Sequence, residues 1–80
     1  MEEFITLKGI KVMQAERSRA ARIAKEVGLV WLAQGYSDGS TSWTILFDFS
    51  TTDEQLVELR EALWNDGLGS VEIVEREVEA

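Results

Sequence analysis

The side chains that most often carry acid–base, thiol or metal chemistry are missing, since the 80-residue chain has no histidine and no cysteine. A nucleophile would have to be Ser, Thr or Lys, and its base a carboxylate or a second Lys. Asp48, at the end of a strand, and Asp38, in a turn, are the only acids placed to serve, and turn chemistry already explains Asp38. Gly35, Gly39, Gly67 and Gly69 sit at turns and do not form a phosphate-cradling loop. Without thiolates or imidazoles there is no disulfide and no metal site of the usual kind. No cofactor is expected, and the residues point away from an enzyme.

Charge is the stronger signal. Six of the eight basic residues fall between Lys8 and Lys25, while ten of the fifteen acidic ones lie beyond residue 40. The asymmetry points to contact with other molecules more than to fold. At pI 4.4 the whole molecule is repelled by nucleic acid and by anionic membranes. No apolar run approaches the roughly 20 residues that span a bilayer. The start, Met1-Glu2-Glu3-Phe4, lacks the basic segment of a signal peptide. A soluble, cytoplasmic protein made of one domain, residues 1–80, is expected.

The elements that must position these charges can be read from periodicity. A first strand runs from Glu3 to Val12, with Ile5 and Leu7 in one phase and Ile10 and Val12 in the other. The change of phase suggests a bulge or kink at Gly9. Met13 to Val27 reads as a helix closed by Gly28, with Met13, Ala20, Ile23, Ala24 and Val27 on the apolar side. Arg19, Arg22 and Lys25 form a basic band on the opposite side. Leu29–Tyr36 and Ser42–Phe49 form a hairpin around Asp38-Gly39, a dipeptide suited to a two-residue turn. That register sets Val30 opposite Phe47, Leu32 opposite Ile45 and Gln34 opposite Trp43, and this face, with Phe49, is the expected core. Leu29, Trp31, Ala33 and Leu46 then lie on the other face.

Thr51 with Glu54, or Thr52 with Gln55, has capping-box spacing and opens a second helix. Leu56, Leu59 and Leu63 form its buried stripe, Glu54, Glu58 and Glu61 form an exposed acidic ridge, and Asn65-Asp66-Gly67 ends it. A last strand covers Ser70 to Val78, where Glu75, Glu77 and Glu79 guard an edge against aggregation. The order β-α-β-β-α-β closes most simply as an α+β, ferredoxin-like sandwich: a four-stranded antiparallel sheet with two helices on one face. The same elements with a short or mispaired first strand are the alternative.

In that fold one sheet face stays open, so Leu29, Trp31, Ala33 and Leu46 make an apolar contact surface for a second copy or another protein. An RNA recognition module would stack bases on its sheet. Trp43-Thr44-Ile45-Leu46-Phe47-Asp48-Phe49 lacks the basic start and glycine of that module, and its aromatics fall on the core face. Direct nucleic-acid binding, by the sheet or by Arg19, Arg22 and Lys25, is therefore not the leading expectation.

Phe47-Asp48, Ser50-Thr51, Glu54-Gln55-Leu56, Gly67-Leu68-Gly69 and Val71-Glu72 together resemble a segment of the small phage anti-CRISPR proteins, one of which inhibits a type I surveillance complex. The basic helix and the Asp-Gly hairpin lie outside the match. The resemblance implies a stoichiometric inhibitor that covers the basic surface of a nucleic-acid-binding complex and catalyses nothing.

The leading expectation is a non-enzymatic, acidic interaction protein that docks on a basic protein surface through Glu54, Glu58 and Glu61, with homodimerisation through the open face. The alternatives are a dimeric metabolite-binding regulatory domain and a nucleic-acid binder acting through the first helix. Docking by carboxylates makes a partner elute as salt rises and disappear from pull-downs when Glu54, Glu58 and Glu61 become Gln. A partner retained in high salt would exclude it.

Overall fold

The structure, a computed structural model, describes residues 3–37, 39 and 41–79. Strands β1 (Phe4–Met13), β2 (Trp31–Ser37), β3 (Ser42–Phe47) and β4 (Val71–Glu79) alternate with helices α1 (Arg17–Glu26) and α2 (Asp53–Asn65). A 3-10 turn, Gln14–Glu16, leads from β1 into α1. The sheet has the order β2-β3-β1-β4, with all three neighbouring pairs antiparallel. Ala20, Ile23 and Ala24 of α1 and Leu56, Leu59 and Leu63 of α2 join Ile10, Val12, Ile45, Phe47 and Val71 of the strands in one buried cluster. Both helices therefore cover the same sheet face, and the fold is the expected ferredoxin-like sandwich.

Each helix ends in the same way. Gly28 and Gly67 adopt φ of 87° and 93°, the left-handed conformation that glycine takes without penalty. After α1, Gly28 N donates to Lys25 O and Leu29 N to Ala24 O; after α2, Gly67 N donates to Trp64 O and Leu68 N to Leu63 O. Both are Schellman motifs, and the leucine after each glycine folds back into the core. At the start of α2 the capping box is the Thr52–Gln55 one, with Gln55 N donating to Thr52 Oγ1 and Thr52 N to Gln55 Oε1. Lys8 Nζ donates to Asp53 Oδ1 at 2.7 Å and ties β1 to the first turn of this helix. The hydrogen bond to that carboxylate holds the Lys8 ammonium above the ordinary lysine range. Its contribution is complete below that range and fades as pH climbs through the raised value.

Two features of the sheet depart from expectation. The first concerns Gly9, where no bulge occurs: β1 pairs with β4 in unbroken register from Phe4 to Val12. Instead, β1 is apolar on both faces. Ile10 and Val12 meet the helices, while Ile5 and Leu7 point the other way. The glycine is needed because a Cβ there would run into the Ile45 carbonyl of β3.

The second is the hairpin. Ser37 pairs with Ser42, Tyr36 with Trp43, Gln34 with Ile45 and Ala33 with Leu46, so the register has slid by two residues and the connection is longer than a two-residue turn. Gly39 keeps the positive φ, 86°, that such a loop needs, whereas Asp38 and Ser40 lie outside the described residues. A β-bulge then falls between Trp31 and Ala33, which sets Trp31 opposite Phe47. Ile45 and Phe47 are buried as expected, but Val30, Leu32 and Phe49 are 62%, 50% and 74% exposed. The reason is placement. β2 is an edge strand, and no residue from Trp31 to Ser37 belongs to the buried cluster.

Overpacking a filled site costs about 1–3 kcal/mol, and more where backbone must move. Gly9→Ala should therefore lower unfolding free energy in urea by about 3 kcal/mol or more. A loss below about 1 kcal/mol would show that β1 and β3 tolerate separation there.

Candidate functional site

The bulge redistributes the residues expected on the open sheet face. Successive strand residues alternate between faces, so Trp31 and Ala33 would share one in a regular strand. The surplus residue, Leu32, breaks that relation. Ala33 and Leu46 are opposite one another on the face away from the helices. Trp31 is on the helix side, opposite Phe47, and Leu29 is buried in the core through the Schellman motif. The expected surface of Leu29, Trp31, Ala33 and Leu46 is therefore not one surface. Leu46, though no helix covers its face, is itself buried.

The basic band also divides. Arg19 Nε donates to Asp66 Oδ2 at 2.6 Å, and its Nη2 donates to the Asp66 carbonyl. Asp66 is the C-cap of α2, where the helix dipole is negative, so Arg19 fastens α1 to the end of α2. Arg22 is loosely paired with Glu26 at 3.9 Å, with both side chains mostly in solvent. Lys25, in the last turn of α1, is exposed. Glu54, Glu58 and Glu61 are all exposed on α2, and none makes an ion pair among the described residues.

The structure brings Arg22 and Lys25 together with Trp31. With Ala21, Leu29 and Val30 they line a groove of about 520 Å³ between α1 and the start of β2. Its volume falls in the range usual for small-molecule sites, about 300–1,000 Å³. The lining is an apolar floor, a half-exposed indole and two cations. Such a set is complementary to a flat, anionic molecule: the ring offers a stacking face and the cations offer charge. The signal in the sequence was the short spacing from Arg22 and Lys25 to Trp31 across the Gly28 turn. It was concealed by assigning the indole to the opposite sheet face.

On the other side of β2, Ala33, Gly35, Ser37, Thr44, Leu46 and Arg76 line a shallower cleft of about 220 Å³. Trp43 is on the helix side, with Nε1 donating to Gln34 Oε1 at 3.0 Å. Tyr36 meets its ring edge-on at 5.0 Å, and the Arg17 guanidinium lies 5.6 Å from its centre. This cluster fixes the far end of the hairpin and leaves both depressions flanking an edge strand. Among the described residues there is no acid cluster able to hold a metal ion, and no helix is long and apolar enough to cross a membrane.

Solved structures with the same architecture are PII-like proteins. The apo form of CPII from Thiomonas intermedia K12, a nitrogen regulatory PII-like protein, matches 100% of this chain and 99% of its own, at 15% identity and a TM-score of 0.54. A putative PII-like signalling protein from Thermus thermophilus matches 98% of this chain and 91% of its own, at 13% identity and a TM-score of 0.59. CPII bound to ADP, AMP and bicarbonate matches over 95% and 93%, at 14% identity and a TM-score of 0.55. At such identities the likeness establishes the ferredoxin-like fold. No protein-family model matches the sequence, and no curated protein matches it.

The charge in the groove can be probed optically. The component of tryptophan emission that is lost in Trp31→Phe should be quenched more by iodide than by caesium, because Arg22 and Lys25 attract the anion. Equal quenching would show that the two cations do not set the local field.

Proposed function

We propose that this chain is a non-enzymatic regulatory domain that binds an anionic aromatic metabolite, of the adenine-nucleotide class, in the groove beside Trp31. The observation that carries this reading is the groove itself, in which Trp31, Arg22 and Lys25 converge. The whole-chain likeness to PII-like proteins supports it, because one of them is seen with ADP, AMP and bicarbonate. The base stacks on the indole, Arg22 and Lys25 meet the phosphates, and Ala21, Leu29 and Val30 give the apolar wall. The absence of histidine and cysteine agrees with binding without turnover.

A second reading, an acidic inhibitor or anti-defence protein docking on a basic surface, is supported by the three exposed carboxylates of α2. The two readings use different faces of the molecule and separate cleanly by mutation.

Stacking on an aromatic side chain is worth about 1–3 kcal/mol per base. By calorimetry ADP and AMP should bind saturably, Trp31→Ala should weaken them about tenfold, and Glu54, Glu58 and Glu61→Gln together should leave them unchanged. No saturable binding of either nucleotide, or equal binding by Trp31→Ala, would reject the groove as the site.

A further inference from the structure

The sheet edge farthest from Trp31 has an open backbone and an ordered set of side chains. All nine residues of β4 pair with β1, and among the described residues nothing pairs along the other side of the strand. Every second backbone N–H and C=O there is left for a further strand. Glu75, Glu77 and Glu79 share the helix side of β4 with Val71 and Ile73. They stand about 7 Å apart along the strand. Opposite them on β1 are Lys8, Thr6 and Phe4. Lys8 is bonded to Asp53, and among the described residues none of the three carboxylates has an ion pair. All three are exposed.

The other half of the edge lies under α2. Ala62 and Asp66, four residues apart, are on the flank of α2 that meets α1 through Arg19. Val57, Arg60 and Trp64 are on the opposite flank. Because α1 borders β2 and β4 is the other edge, that flank overhangs β4. Val57 and Trp64 are 39% and 52% exposed. The Arg60 guanidinium lies 5.1 Å from the centre of the Trp64 ring, and Arg60 Nε is buried without a hydrogen-bond partner. Trp64 is at the Val71 end, since the chain turns at Gly67 straight into β4, whereas Asp53 is beside Lys8, level with Glu75. The edge is therefore apolar and aromatic at its start and acidic at its end.

We infer that the outer edge of β4 receives an extended basic peptide segment of another protein as a fifth strand. Lys or Arg at alternate positions meets Glu75, Glu77 and Glu79, and an apolar residue sits under Trp64. Strand addition takes its affinity from main-chain hydrogen bonds and its specificity from alternate side chains, and opposite charges directly across a strand pair attract. Carboxylates on an edge also deter pairing between copies, and a second β4 laid antiparallel here would oppose the same three charges. That excludes self-pairing of this edge but leaves the exposed shelf of Val57 and Trp64 without a role. A basic strand uses both features. The fixed cation of Arg60 ends the basic pattern where the shelf begins. The surface is distinct from the Trp31 groove and from Glu54, Glu58 and Glu61.

The test is fluorescence anisotropy of a labelled peptide, Lys-Thr-Lys-Thr-Lys-Thr-Leu-Thr-Leu, with the full chain. Saturable binding is expected, and changing Glu75, Glu77 and Glu79 together to Gln should weaken it about tenfold or more. Changing Glu54, Glu58 and Glu61 to Gln should leave it as in wild type, and circular dichroism should be the same for all three proteins. Replacing both leucines of the peptide by Thr should weaken binding to wild type but not to Trp64→Ala. Of two peptides N-methylated at alternate residues, in opposite phases, one should lose binding, because only one phase points its N–H groups at β4. The proposal is overturned by no saturable binding, by equal binding of both N-methylated peptides, or by a loss that follows the α2 glutamates instead. It is also overturned if hydrogen exchange without peptide shows the outer β4 amides becoming protected as protein concentration rises, which would put a second copy on the edge.

Discussion

Between Trp31 and Ala33 the edge strand β2 carries one more residue than its partner β3, and the surplus residue, Leu32, turns the pleat over. On one side of that point the strand presents Trp31 to the helix layer, next to Arg22 and Lys25. On the other side it presents Ala33, Gly35 and Ser37 to the face that no helix covers. A regular β2 would put the indole and Ala33 together. The groove would then lose its ring, and the cleft would lose its shape. The placement of Trp31 beside Arg22 and Lys25 depends on this one irregularity.

The irregularity is tolerable because the rest of the fold is held elsewhere. The core is built from β1, β3, β4 and the two helices, and β2 contributes nothing between Trp31 and Ser37. Two Schellman motifs of the same form, one after each helix, send Leu29 and Leu68 into that core. Arg19 joins the helices through Asp66, and Lys8 joins the sheet to α2 through Asp53. Edge position leaves β2 less constrained by core packing than the inner strands are.

Much of this architecture was legible in the residues. The leucine stripe of α2, its capping box, the glycines closing both helices and the inward placement of Ile45 and Phe47 all follow from local periodicity and local hydrogen bonding. What escaped was set by the meeting of strands. Asp38-Gly39 favours a short turn, but pairing across the hairpin chose Ser37 with Ser42, a preference that no dipeptide reveals. A bulge leaves no sequence mark here, and a one-residue slip moves every later side chain to the other face. Gly9 was recognised as special for the wrong reason: the strand does not kink there, and the glycine makes room for the β3 backbone. The charges were visible from the start, but their pairing was not. Arg19 was drawn into structure, whereas Arg22 and Lys25 kept their reach into the groove.

Amide chemical shifts followed residue by residue during an ADP titration address the ligand-binding reading most directly. The expected outcome is saturable change concentrated at residues 21–25 and 29–31, with α2 silent around Glu54, Glu58 and Glu61. Changes confined to α2, or none at any nucleotide concentration, would contradict it.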